Sequence, residues 1–266
     1  MQVEAVDAVY ELVINVDVRR STSYDDPGKS RMRRLLYRIL DEAFAAAAVP
    51  AGSVHREDRG DGILAAVAGS VPPARVLGLW VTELHEQLRR ENPGLRVPLG
   101  LRVGLNVGPV THDPMGICGR AVDLACRLAD SPPARRLLDR ERADLVVAAS
   151  EPLYQDVVRH GGRFIEPADY LPAPVRLKEL DTRGWFLLPG RAKPAPLAAD
   201  AEGPADAAPG PVGAAEPAPA PTPTPTRAAQ VTVHGDHNES HGNTYLAPVH
   251  IGRTTPDAPN GGPRRA

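Results

Sequence analysis

The sequence predicts an α+β sandwich of ferredoxin-like topology: one sheet with helices packed on one face, then a Pro/Ala-rich linker and a short tail. Three observations carry this. Strand-length apolar runs and helix-length amphipathic runs follow in the order β-α-β-β-α-β-α-β-α-β, which suits one sheet with crossover helices. Gly60-Asp61-Gly62 separates two strand patterns, which reads as a tight turn with Gly60 and Gly62 at positive φ. Composition changes sharply after Gly190, where alanine and proline take over.

Taken in order, Tyr10 to Val18 (YELVINVDV) is a strand pattern with Asp17 near its C-terminal end. Asp25-Asp26-Pro27-Gly28 is a turn and cap signal. Met32, Leu35, Leu36, Ile39, Leu40 and Phe44 then recur at helical spacing, giving a helix over 27–48 that Pro50-Ala51-Gly52 stops. Ser53 to Asp58 and Ile63 to Ala68 are the strands flanking the Gly-Asp-Gly turn. Val71-Pro72-Pro73 opens a second helix with Val76, Leu77, Trp80, Leu84 and Leu88 inward, and Asn92-Pro93-Gly94 ends it. Leu99 to Val107 alternates apolar residues with Gly100, Arg102, Gly104 and Asn106, the pattern of a half-buried strand. Gly108-Pro109 is expected to bend it, with 110–112 returning as a short arm. Gly119 to Leu138 reads as helix with a kink at Pro132-Pro133. A strand over 144–149 leads into a short helix capped by Ser150, with Pro152 in its first turn. Residues 164–165, 175–178 and 185–188 read as late strands, and Trp80 and Trp185 as core.

The 266 residues suffice for one domain with a substantial core plus extra segments. The expected division is a folded domain over 1–190, a semi-stiff polyproline II linker over 191–228, and a tail over 229–266. The tail, which includes Val231-Thr232-Val233 and Tyr245-Leu246, is too small for its own core. It either stays without fixed structure or adds strands to a protein partner. His234, His237 and His241 lie in this Gly/Asn-rich segment without cysteines, so a solvated tail is favoured over a metal site. A net charge of -2 offers no basic field for nucleic acid. The two cysteines argue against a disulfide scaffold, the acidic start is no secretory signal, and no apolar run spans a bilayer. A cytoplasmic, soluble protein without membrane contact is expected.

Two carboxylates stand out. If the strands carrying Asp17 and Asp61 are neighbours, the pair suits Mg²⁺, which takes oxygen ligands and keeps part of its shell for substrate phosphates. The plainer alternative is that Asp17 only ends a strand and Asp61 only makes a turn.

Four pieces together resemble the catalytic domain of the class III nucleotide cyclases over roughly residues 8 to 190. They are Asp17-Val18-Arg19-Arg20-Ser21-Thr22, Arg59-Gly60-Asp61-Gly62, Leu101 to Val110 (LRVGLNVGPV), and Gly119 to Leu128 (GRAVDLACRL). The resemblance implies a nucleotide-cyclase-type sandwich working as a head-to-tail homodimer or as a heterodimer with a related domain. It implies a nucleoside triphosphate as ligand and Mg²⁺ or Mn²⁺ held by Asp17 and Asp61. It also implies that Arg127 stabilises charge on the transferring phosphate, that Lys178 lies near the phosphates, and that Ser21 and Thr22 belong to the phosphate-facing loop. Arg20 and Ser21 replace the Gly-Phe of many members in that loop. Asp123 stands where the family has a ribose-orienting asparagine, which loses a donor and adds charge beside a polyphosphate. His55 and Gly116 stand at the base-reading positions, so the adenine-selecting pair is absent and no guanine-selecting pair is evident. The expected function is a divergent cyclase-homology domain without efficient purine cyclase activity, acting as a nucleotide-sensing or interaction module in signalling. The alternatives are an active metal-dependent cyclase with relaxed or non-purine base choice, and a structural dimerisation domain that delivers the tail to a partner.

Overall fold

The computed structural model describes residues 7–177, 180–195 and 197. The expected linker, tail and tail histidines, apart from the linker's first few residues, lie outside the described residues. Within the described residues, eight strands form one sheet. Strand β1 (Val9–Val18) leads into helix α1 (Asp26–Ala46), then β2 (Val54–Asp58) and β3 (Gly62–Ala68). Helix α2 (Pro73–Arg75) runs through a π-helical turn at Val76–Trp80 into α3 (Val81–Glu91), which returns the chain to β4 (Leu101–Asp113). After β5 (Gly116–Cys118) come α4 (Arg120–Ala129), α5 (Pro132–Arg140), β6 (Leu145–Ser150), α6 (Glu151–Asp156), β7 (Leu171–Leu177) and β8 (Leu180–Leu187).

The strand order is β2-β3-β1-β4-β6-β8-β7, with β5 paired to β4. The block β2-β3-β1-β4 is antiparallel throughout. With its crossovers through α1 and α3, this is the ferredoxin-like core. Beyond it β6 runs parallel to β4, and the β7/β8 hairpin closes the far edge antiparallel. Pro172 and Pro174 sit on that last strand, where missing N–H groups do no harm and discourage further pairing.

Period-2 alternation sorts the strand side chains to two faces. Leu12, Ile14, Val16 and Val18 of β1 and Leu101, Val103 and Leu105 of β4 pack with Leu36, Ile39, Leu40 and Phe44 of α1 and with Trp80, Leu84 and Leu88. The opposite face is also covered, which corrects the one-face expectation. There Val13, Leu64 and Ala66 meet Ala121, Val122 and Ala125 of α4. Farther along the same side, Val146, Ala148 and Phe186 meet Ala134, Leu137 and Leu138 of α5.

The close seat of α4 explains the small residues on that side of β4. A Cβ on Gly104 would fall 2.0 Å from the carbonyl oxygen of Ala125, so only glycine lets the helix lie this low. Asn106, also buried, donates its side-chain amide to the Ala121 carbonyl at 3.2 Å. The alternation over 99–107 therefore marks a strand buried on both sides, not a half-buried one.

Other boundaries hold with local corrections. Asp25 caps α1 by accepting from the Gly28 N–H at 2.8 Å. Ser131 caps α5, so the expected kink is a break between two helices. Strand β4 does not bend at Gly108-Pro109: it continues past them along β1 and runs on to Asp113, and the returning arm is β5. Residues 164–165 form no strand. Only a single bridge joins Gly162 to Ile165, and Phe164 has φ 62°. Trp80 is fully buried, whereas Trp185 is half-buried and stacks on Tyr154 with centroids 3.4 Å apart. No helix among the described residues is long and apolar enough to cross a membrane.

Candidate functional site

The site starts from register. Strands β1 and β3 pair so that Asp17 faces Gly62, which puts Asp61 beside the end of β1. The Val18 N–H donates to the Asp61 carbonyl at 3.1 Å, tying the turn to that strand end. Gly60 takes positive φ as expected, at 82°. Gly62 does not. Its requirement is space, because a Cβ there would meet the Val16 carbonyl oxygen at 2.3 Å.

The turn is also held from behind. Asp58 accepts from the Gly60 N–H at 2.7 Å and from the Tyr37 hydroxyl at 2.9 Å, and it pairs with Arg33 of α1. Burial works against its charge, but those donors and the guanidinium hold its pKa below the usual carboxylate value. The loop after β1 completes this end of the sheet. Arg20 is left-handed at φ 53°, the 3-10 turn Ser21–Ser23 follows, and the Ser21 hydroxyl donates to Asp61 at 2.6 Å. Thr22 lies in the same turn.

The Asp17 carboxyl has its pKa raised above the usual carboxylate value. Desolvation pushes it up, Arg102 pulls it down, and the neighbouring charges of Asp61 and Asp130 push it up again; the net direction is upward. Arg102, opposite Asp17 on β4, makes an ion pair with it. Sequence reasoning missed Arg102 as a partner of Asp17: the alternation over 99–107 set it apart from the apolar residues of its strand, but only the register of β1 and β4 brings the two together.

The pair Asp17 and Asp61 fits a hard divalent cation in donor type: two carboxylates close enough to feel each other's charge, with a hydroxyl beside one. Among the described residues no cluster of three or more acidic, histidine or cysteine side chains could hold a metal alone. Further ligands would have to come from water or substrate, which is how Mg²⁺ is commonly bound.

The remaining expected residues lie elsewhere. Asp123 and Arg127 are exposed on α4, one turn apart, and among the described residues neither side chain has an ion pair or hydrogen bond. Lys178 lies outside the described residues. His55 is on the edge strand β2, edge-on to His112 with centroids 5.2 Å apart and 3.3 Å from Glu57.

The side chain that meets Gly116 is Glu57. A Cβ on Gly116 would lie 2.2 Å from Glu57 Oε1. Glu57 also accepts from the Ile117 N–H at 2.5 Å and from Arg59 at 2.7 Å. The space a side chain at position 116 would use is thus filled by a carboxylate whose oxygens already have donors.

No family model matches the chain, and no curated protein is similar to it in sequence. Solved structures do match in fold. An adenylate/guanylate cyclase/hydrolase from Silicibacter pomeroyi aligns at 19% identity over 70% of this chain and 99% of its own, with a TM-score of 0.52. The guanylate cyclase domain of RhGC from Catenaria anguillulae, solved in complex with GTP, aligns at 18% identity over 71% of this chain and 100% of its own, with a TM-score of 0.50. At such identities the likeness establishes the fold.

Proposed function

We propose that this chain, which has the fold of the class III adenylate/guanylate cyclase catalytic domains, binds a metal-complexed nucleoside triphosphate at a site shared between two protomers, as a sensing or interaction module without efficient purine cyclase activity. The observation that carries the reading is the division of the candidate residues. Asp17, Asp61 and Ser21 gather at one end of the sheet, while Asp123 and Arg127 stand exposed on α4 without a partner among the described residues. An exposed guanidinium of this kind suits a ligand or a second chain bearing phosphate oxygens.

In this reading Asp17 and Asp61 hold Mg²⁺ or Mn²⁺. A bound cation there would screen phosphate charge and polarise a phosphoryl oxygen. Ser21 orients Asp61 through its hydroxyl, and Arg127 of the partner subunit would pair with phosphate oxygens as a fork. Asp123 puts a further negative charge next to that arginine. It repels phosphate or draws Arg127 aside, and either effect weakens charge stabilisation. Gly116 supplies no side chain to read a base, and Glu57 fills its place. These two features favour a sensing or interaction role over fast turnover. The retained carboxylate pair, and an Arg127 with no partner among the described residues, favour the second reading, an active metal-dependent cyclase with relaxed or non-purine base choice.

The test is a screen of the four ribonucleoside triphosphates with Mg²⁺ and Mn²⁺, measuring binding by calorimetry and turnover by pyrophosphate and cyclic product. Metal-dependent binding with little pyrophosphate release is expected. Rapid release with any of the four would replace the first reading with the second, and the absence of metal-dependent binding to any triphosphate would reject both.

A further inference from the structure

Antiparallel register sets Arg102 of β4 opposite Asp17 of β1. Its Nη2 bonds Asp17 Oδ2 and lies 4.0 Å from Asp130 Oδ1. The Arg102 side chain is only 13% exposed and that of Asp17 is 23%, whereas Asp130 is 57% exposed just beyond the end of α4. The Nε of Arg102 is buried with no hydrogen-bond partner among the described residues, so the fork is fixed mainly through its outer nitrogens. The guanidinium therefore stands between two carboxylates. One belongs to the candidate metal pair and the other faces solvent.

We infer that Arg102 is a built-in competitor for the divalent cation: it neutralises Asp17 while no cation is bound, and shifts toward Asp130 when a cation takes Asp17. The inference rests on the reading of Asp17 and Asp61 as the metal pair. The physical argument is one of charge. Two neighbouring carboxylates, Asp17 half-buried and Asp61 exposed, repel each other, and a nearby cation relieves that repulsion. A guanidinium supplies one positive charge to one member of the pair. A divalent ion held by Asp17 and Asp61 would supply two, and it would have to compete with the guanidinium for Asp17. Displacement strands no charge in the interior, because Asp130 already lies near the same nitrogen. Asp130 is shared in part with Arg135, which pairs with it from α5. The arrangement raises the cation concentration at which the site fills. It also couples loading at the sheet end to the end of α4, the helix bearing Asp123 and Arg127.

The experiment uses the full chain, Mn²⁺ alone without nucleotide, and calorimetry at neutral pH. Arg102→Gln is expected to bind Mn²⁺ about tenfold more tightly than the parent, with Arg102→Lys between the two, because each step removes part of the competing interaction. Mn²⁺ should also raise the thermal midpoint of Arg102→Gln by more than that of the parent, since only the variant lacks an internal counter-ion. Asp61→Ala should remove binding in both backgrounds. If Asp61→Ala abolishes binding but Arg102→Gln binds no more tightly than the parent, the competitor role is overturned while the metal-pair reading stands. If binding in the parent ignores Asp61→Ala, the metal-pair reading fails and takes this inference with it. A parent too weak to measure must become measurable in Arg102→Gln; silence from both overturns the inference. Should Arg102→Gln fail to fold by circular dichroism, Arg102→Lys decides, and an affinity equal to the parent's counts against the role.

Discussion

Two regions of this domain carry the candidate site residues, and they are built in opposite ways. At the sheet end each carboxylate has an internal answer: Asp17 has Arg102, Asp61 has Ser21, and Asp58 has Arg33, Tyr37 and Gly60. On the outer side of α4, Asp123 and Arg127 have no answer among the described residues. Yet α4 is not loosely held. Its inner side is locked on β4 by Gly104, Asn106 and the alanines at 121 and 125. The difference is that α4 is firmly seated yet presents charges without partners among the described residues, whereas the carboxylates at the sheet end are each answered from within the chain.

The largest way to break this contrast is to lift α4 from the sheet. Gly104→Val places a branched side chain where even one carbon would meet the Ala125 carbonyl oxygen at 2.0 Å. A loss of about 3 kcal/mol or more is expected, at the upper end of overpacking costs. Urea unfolding measures it, and a loss below about 1 kcal/mol would mean that the seat yields easily.

A second substitution sharpens the α4 side alone. Asp123→Asn removes the charge beside Arg127 and supplies an amide donor with little change in size. Any pyrophosphate release seen with Mn²⁺ should rise about tenfold or more, within the range spanned by single charge-stabilising contacts. A fall would assign Asp123 a positive role.

A smaller effect probes the paired side. Tyr37→Phe deletes one donor to Asp58 and loosens the turn that carries Asp61. About 1 kcal/mol of stability should go, as for a hydrogen bond to a partly exposed charged group. Mn²⁺ affinity should fall with it, and an unchanged affinity would show that the turn is held well enough by Arg33 and Gly60.

The smallest expected effect is a control away from both regions. Tyr170 is buried, its hydroxyl lacks a hydrogen bond among the described residues, and burial pushes its pKa well above the usual tyrosine value. The folded state therefore keeps the proton that the unfolded state loses near pH ~10, so stability falls as pH rises past that point. Tyr170→Phe should cost less than about 1 kcal/mol at neutral pH and flatten the alkaline fall. An equally steep fall in the variant would place the titrating group elsewhere.

Most of the fold was legible because local signals agreed with tertiary ones. The apolar period over 32–44 gave one face of α1, and Asp25 before Pro27 marked its start. The two-sided cover of the sheet was not legible. Gly104 and Asn106 look like solvent-side residues when burial is judged from polarity, but here a missing side chain is what admits a helix. Residues 164–165 misled for the reverse reason: Ile165 covers part of the core from a loop without pairing as a strand, and Phe164 is exposed. At the site, strand neighbourhood brought Asp17 and Asp61 together as expected. The partners Arg102 and Glu57 were not legible, because which side chain meets which across strands depends on register, and register is a property of the assembled sheet.

The central claim is a site completed by a second copy, and complementation tests it most directly. In the proposed shared site Asp61→Ala and Arg127→Ala would damage opposite halves, so each protein alone should lose Mn²⁺-dependent triphosphate binding. Mixed in equal amounts and allowed to exchange, they should recover binding at about a quarter of the sites, since half the dimers are mixed and each carries one intact site. No recovery on mixing, with both variants folded and exchanging, would contradict the claim, as would full triphosphate binding by Arg127→Ala alone.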